Sequence, residues 1–130
     1  MTTKKISVLI ADKLETAILD YDERTPTMKI TLENNWTTQT SGLDIYECLG
    51  KIIKELPHIK FLCKGAKISV RPSSMSSQMG SGIIAYEHKP GVRASRKDIV
   101  NIFDYDDQDI INDPQLQTDY FFRWLESIKK

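Results

Sequence analysis

The sequence predicts an α+β fold, with a largely antiparallel sheet covered by two amphipathic helices in a single domain spanning residues 1–130. Three observations lead there. Apolar, β-branched runs recur through the first third and the middle of the chain, the pattern of half-buried strands. Only two segments carry a helical apolar period long enough for a docked helix. No repeat, linker or low-complexity stretch divides the chain, so the elements belong to one core.

KISVLIAD (5–12) and ETAILDYD (15–22) are strand-like runs separated by Lys13-Leu14, readable as a hairpin or as one bent strand. After the turn signal ERTPT, MKITLE sets Met28, Ile30 and Leu32 against Lys29, Thr31 and Glu33, the period of a strand with one buried face. A helix is expected to start near Ser41 to Asp44 and to end before Pro57, burying Leu43, Tyr46, Leu49, Ile53 and Leu56. KFLCKG and AKISVRP read as short strands, the Ser/Met segment after Pro72 as a loop, and GIIAYEH as another strand. SRKDIVNIFDYDD fits either a strand or a helix start capped by Ser95 with Asp98 at the third position; the strand is preferred. The last helix has the clearest signals. Asp113 is its N-cap, Pro114 lies in the first turn, and Leu116, Tyr120, Phe121, Trp124, Leu125 and Ile128 form its apolar stripe, with Lys129 and Lys130 at its negative end.

The composition is that of an ordinary folded domain, 40% hydrophobic and 28% charged. No apolar run is long enough to span a membrane, and the N-terminus lacks the apolar core of a secretion signal, which makes a cytoplasmic location the expectation. Cys48 and Cys63 are too few and too far apart for a disulfide framework or a zinc site, and their apolar neighbours mark them as buried. A small hydrolase built on Cys63 would need His58 or His88 as its base, and neither sits in a nucleophile motif. MGSGI resembles a phosphate loop but lacks the Lys-Ser/Thr that completes one. No cofactor is expected.

The net charge is zero but unevenly placed. Residues 51–97 carry ten Lys and Arg against two Asp and Glu, whereas residues 98–130 carry three against eight. Between Asp104 and Phe122 there are six Asp and no basic residue, so this stretch brings negative potential wherever it folds. Either the two blocks face each other, or the acidic one receives a basic partner, or the basic one receives nucleic acid. The basic segment holds only Phe61 and Tyr86 as aromatics, few for stacking on bases.

The strings CKGAK, PSSMSSQMGSGIIAY, DIVNIFDYDD and YFFRWLESI resemble a family of small immunity proteins encoded beside bacterial polymorphic toxins, including those of contact-dependent growth inhibition systems. The resemblance extends from Leu43 to Ile128. It departs from the family pattern at Ser74, where a Gly is usual before the first Met, and at IINDPQLQ before the last helix. What it implies is inhibition by tight binding of a cognate toxin domain, of nuclease type, without catalysis. The expected partner-binding residues are then Asp104, Asp106, Asp107 and Asp109, which suit a basic toxin, and Met75, Gln78 and Met79, whose flexible side chains suit an adaptable contact. The alternative is a nucleic-acid-associated protein using the basic central segment, and a more distant one is the small hydrolase.

Overall fold

Ala11 and Asp12 both have positive φ, 50° and 64°, as a two-residue turn between twisted antiparallel strands requires. The chain therefore reverses there, two residues before the gap between the apolar runs, and β1 (Thr2–Ile10) pairs with β2 (Lys13–Asp22) as a hairpin from Thr2↔Tyr21 to Ile10↔Lys13. A computed structural model describes residues 1–129; Lys130, expected at the end of the last helix, lies outside the described residues. The fold is α+β with every strand pairing antiparallel.

β3 (Thr27–Thr31), β4 (Thr37–Ser41) and β5 (Ile59–Leu62) complete a five-stranded sheet in the order β4-β3-β2-β1-β5. The register sets Ile6 opposite Ala17, Leu19 opposite Ile30 and Val8 opposite Phe61. These side chains are all buried and share one core with Ile45, Leu49, Ile52 and Ile53 of α1 (Ile45–Glu55). β4 is absent from the sequence reading because its residues, TTQTS, show no apolar period. As a polar edge strand it needs none, and polarity there discourages pairing with other chains.

The expected single sheet is in fact two. β6 (Val70–Arg71), β7 (Ile84–Glu87) and β8 (Ile99–Asn101) form a second sheet in the order β6-β7-β8, and its buried Val70 and Ala85 join the same core. AKISVRP yields only two strand residues because Cys63 to Ile68 turn aside to bond the acidic loop. Lys64 N–H donates to the Asp104 carbonyl, Ile68 N–H to that of Asp109, and Ile111 N–H returns to that of Ala66. Both readings of the segment from Ser95 hold in part. Ser95 and Asp98 form a reciprocal capping box on a 3₁₀ turn, Arg96–Asp98, and the chain then extends directly into β8.

The last helix, α3 (Pro114–Ile128), starts as expected, with the Asp113 carboxylate accepting the Gln115 N–H at 3.0 Å. Its packing is more polar than the expected stripe. Of the six stripe residues only Trp124 is buried, Leu116 is exposed, and the others are half-buried. Gln117 is buried instead, its amide donating to the carbonyls of Gly65 and Lys67 at 2.9 Å each. The reason is what α3 lies against. It covers irregular backbone around Gly65 and Lys67, whose carbonyls lie outside the strands, and such groups are met by donors when water is excluded.

Candidate partner-binding surface

The Ser/Met segment is a helix rather than a loop. α2 (Ser74–Gly80) is held by its ends: Ser73 Oγ accepts the Ser76 N–H at 3.0 Å, and Ser81 closes the helix in the left-handed conformation at φ 59°. Seven residues are too short for a helix to stand alone, so tertiary ties decide its presence. Ser76 Oγ donates to the Ile84 carbonyl, Ser77 Oγ donates to the Asp44 carboxylate, and the Ser81 carbonyl accepts the Ile45 N–H at 2.8 Å. Ser76 and Ser77, which read as loop residues, are the inward face of this helix. The sequence signals that mark it are Pro72-Ser73 before and Gly80-Ser81-Gly82 after.

Helical spacing then decides the fate of the methionines. Met75 and Met79 stand four residues apart, hence on one face, and that face is turned to solvent, with Met75 70% and Met79 83% exposed. Gln78 is exposed beside them. Leu43, expected in the stripe of α1, is 83% exposed, because Asp44 caps the helix and leaves Leu43 outside it. The Ile45 N–H bond to the Ser81 carbonyl joins the start of α1 to the end of α2, and Leu43 and Gln78 both border the cleft between these helices. Leu43 is therefore the residue the sequence reading missed.

Asp44 fastens the two helices together. One carboxylate oxygen accepts the Glu47 N–H at 2.7 Å, and the other accepts the Ser77 hydroxyl. Gly82, at φ 74°, leaves room for this contact, since a Cβ there would meet the Asp44 carboxylate at 2.6 Å. Asp44→Ala is expected to cost about 1–2 kcal/mol, a lost cap and a lost hydrogen bond, and to raise amide hydrogen exchange across α2 more than in the sheets. Equal changes everywhere would show that Asp44 does not hold α2 in particular.

The acidic residues divide. Asp104, Asp107 and Asp109 are exposed on the turn after β8. Asp106 is not a free surface charge, its side chain being only 10% exposed. It accepts from Lys64 at 2.8 Å and from Lys67 at 2.9 Å, and the same lysines pair with Glu87 at 2.9 and 3.0 Å. The basic and acidic blocks thus meet at this cluster, and Lys64 and Lys67 are committed to it. α2 is bonded to the Ile84 end of β7, whereas Asp106 is joined through Lys64 and Lys67 to Glu87 at its other end.

Both cysteines are fully buried. Burial pushes the Cys63 thiol up to about 12 and the Cys48 thiol up to about 11, leaving almost no thiolate at neutral pH. His58 is exposed before β5, and His88 is buried beneath α3, its ring 4.0 Å from that of Trp124. Among the described residues no group of His, Cys, Asp and Glu is placed to hold a metal ion, and no helix is long and apolar enough to cross a membrane. No family model matches the chain, and no curated protein matches it in sequence.

Proposed function

We propose that this chain is a cytoplasmic immunity-type protein that binds and neutralises a cognate toxin domain of nuclease type, by contact alone. The observation that carries the reading is the methionine face of α2. Two flexible thioethers are presented to solvent on a helix whose Ser76 and Ser77 are bonded to the rest of the fold. Apolar side chains displayed on an anchored support suit an adaptable contact with another protein. Asp104 and Asp107 on the acidic turn add negative potential, which speeds the approach of a basic partner. Commitment of Lys64 and Lys67 to ion pairs removes two of the cations on which a nucleic-acid-binding central segment would rely.

The test is genetic and then physical. The reading frame beside this one should encode a secreted protein whose C-terminal domain arrests growth, and co-production of this chain should restore it; a neighbour without toxicity, or arrest unrelieved by this chain, overturns the proposal. With the toxin domain in hand, exchanging Met75 and Met79 for Ser should leave the melting temperature unchanged, because both side chains are already exposed. Affinity should fall by about 1–2 kcal/mol, mainly through faster dissociation. Unchanged binding would remove α2 from the interface.

A further inference from the structure

Ser74, Ser77 and Gln78 of α2, with Leu43, border a cleft. It lies between α1, α2 and α3 and has a volume of about 900 Å³, the size of many small-molecule sites. Its aromatic lining is Tyr46, Tyr86, Phe121 and Trp124, with His88 among them, and Lys51, Lys54 and Arg71 supply cations.

The charges in this cleft are not balanced by one another. Its two carboxylates are engaged: Asp44 accepts from Glu47 N–H and Ser77 Oγ, and Glu47 accepts the Leu43 N–H at 3.1 Å and pairs with Lys51 at 3.7 Å. Among the described residues, no carboxylate lies within ion-pair distance of Arg71 or Lys54. The Arg71 guanidinium rests over the Phe121 ring, 4.7 Å from its centroid, and among the described residues its only side-chain acceptor is Thr118 Oγ1 at 3.3 Å. This contact holds the guanidinium at the ring while leaving N–H groups of its donor fork unmatched among the described residues. A second polar group is also unmatched: His88 is 6% exposed, and its Nδ1 has no hydrogen-bond partner among the described residues.

We propose that this cleft binds a small planar aromatic anion. Its carboxylate or phosphate engages the free N–H groups of Arg71, with Lys54 adding charge, and its ring packs on the aromatic lining. A guanidinium presents paired donors in a planar fork, which match the paired oxygens of either group. A hydrated inorganic anion leaves the aromatic wall unused, and a neutral ring leaves Arg71 unmatched. The two demands together define the ligand class, and they stand independently of the partner-binding reading.

Phenyl phosphate and phenylacetate are the probes, and Trp124 is the reporter. The chain has two Trp, so a Trp36→Phe background leaves Trp124 as the sole indole. Titration should give a saturable change in its emission with at least one probe, and the tighter of the two identifies phosphate or carboxylate as the preferred group. Phenol and inorganic phosphate should each bind about tenfold or more weakly than the better probe, and Arg71→Lys, which keeps the charge but loses the fork, should weaken that probe by about tenfold. If Arg71→Lys unfolds, Lys54→Gln at an exposed position takes its place, with a several-fold loss expected. No saturable response to either probe overturns the proposal, as does unchanged affinity in the folded arginine variant or, in its stead, the lysine variant.

Discussion

Replacing Trp124 by Ala is expected to lower the unfolding free energy by about 3–5 kcal/mol, a large share of the stability of a domain this size. The indole is 8% exposed, its ring lies 4.0 Å from His88 and 5.7 Å from Phe121, and its N–H donates to the Val92 carbonyl at 2.9 Å. Truncation leaves a cavity and removes the donor for that carbonyl. It also loosens the segment around Val92, which is tied to α3 as well by the Gly91 N–H donated to Ser127 Oγ at 2.8 Å and by the Tyr120 hydroxyl donated to the His88 carbonyl at 2.9 Å. Trp124→Phe keeps much of the packing and loses the N–H, so a smaller cost of about 1–2 kcal/mol is expected. Denaturant unfolding of the two variants separates these contributions. If Trp124→Ala unfolds like the parent, α3 is not docked through this ring, and its aromatics are free for another use.

What the sequence made legible was governed by local chemistry and apolar period. Asp113-Pro114 marks the start of α3, and alternation at Met28, Ile30 and Leu32 marks β3, because each signal is written in consecutive residues. Elements that rest on distant partners were hidden. β4 is polar throughout, and its pairing with β3 is all that shows it. α2 mixes methionines and a glutamine with serines and a glycine of weak helical preference, and its ties run out of the helix to Ile84 and to the distant Asp44. Once α2 is a helix, the exposure of Met75 and Met79 follows from their spacing, whereas a loop reading leaves it undecided.

The charge pattern shows the same division. An excess of Asp after residue 103 is visible in the sequence, but nothing local separates Asp106 from Asp104, Asp107 and Asp109. The separation comes from Lys64 and Lys67, which the 3₁₀ turn Lys64–Ala66 and its backbone bonds to the acidic loop bring into reach. Likewise the sequence proposes His58 and His88 on equal terms. Only the fold puts one in water and the other beneath an aromatic cluster beside a cleft.

Asp106→Ala is expected to cost about 2–3 kcal/mol at neutral pH. Breaking a fully buried ion pair costs more, roughly 3–5 kcal/mol, but here Glu87 still faces both lysines, and the side chains of Lys64 and Glu87 are 21% and 24% exposed, so solvent takes part of the loss. The pH dependence distinguishes charge from packing. Burial pushes the Asp106 carboxyl up, but hydrogen bonds from Lys64 and Lys67 outweigh it and hold the group well below the usual carboxylate range. Burial and the same two lysines act on Glu87 in the same opposed senses, with a net lowering. A carboxyl whose folded value is depressed contributes stability that is fully present above its unfolded value, near about pH 4, and that fades as pH falls through the folded value. The stability gap between the parent and Asp106→Asn should therefore be constant from neutral pH down to about pH 5 and shrink below about pH 4. Denaturant unfolding across that range measures it. A gap that persists unchanged into strong acid would mean that Asp106 contributes through its shape and hydrogen bonds, and that its negative charge is not what joins the acidic turn to the two lysines.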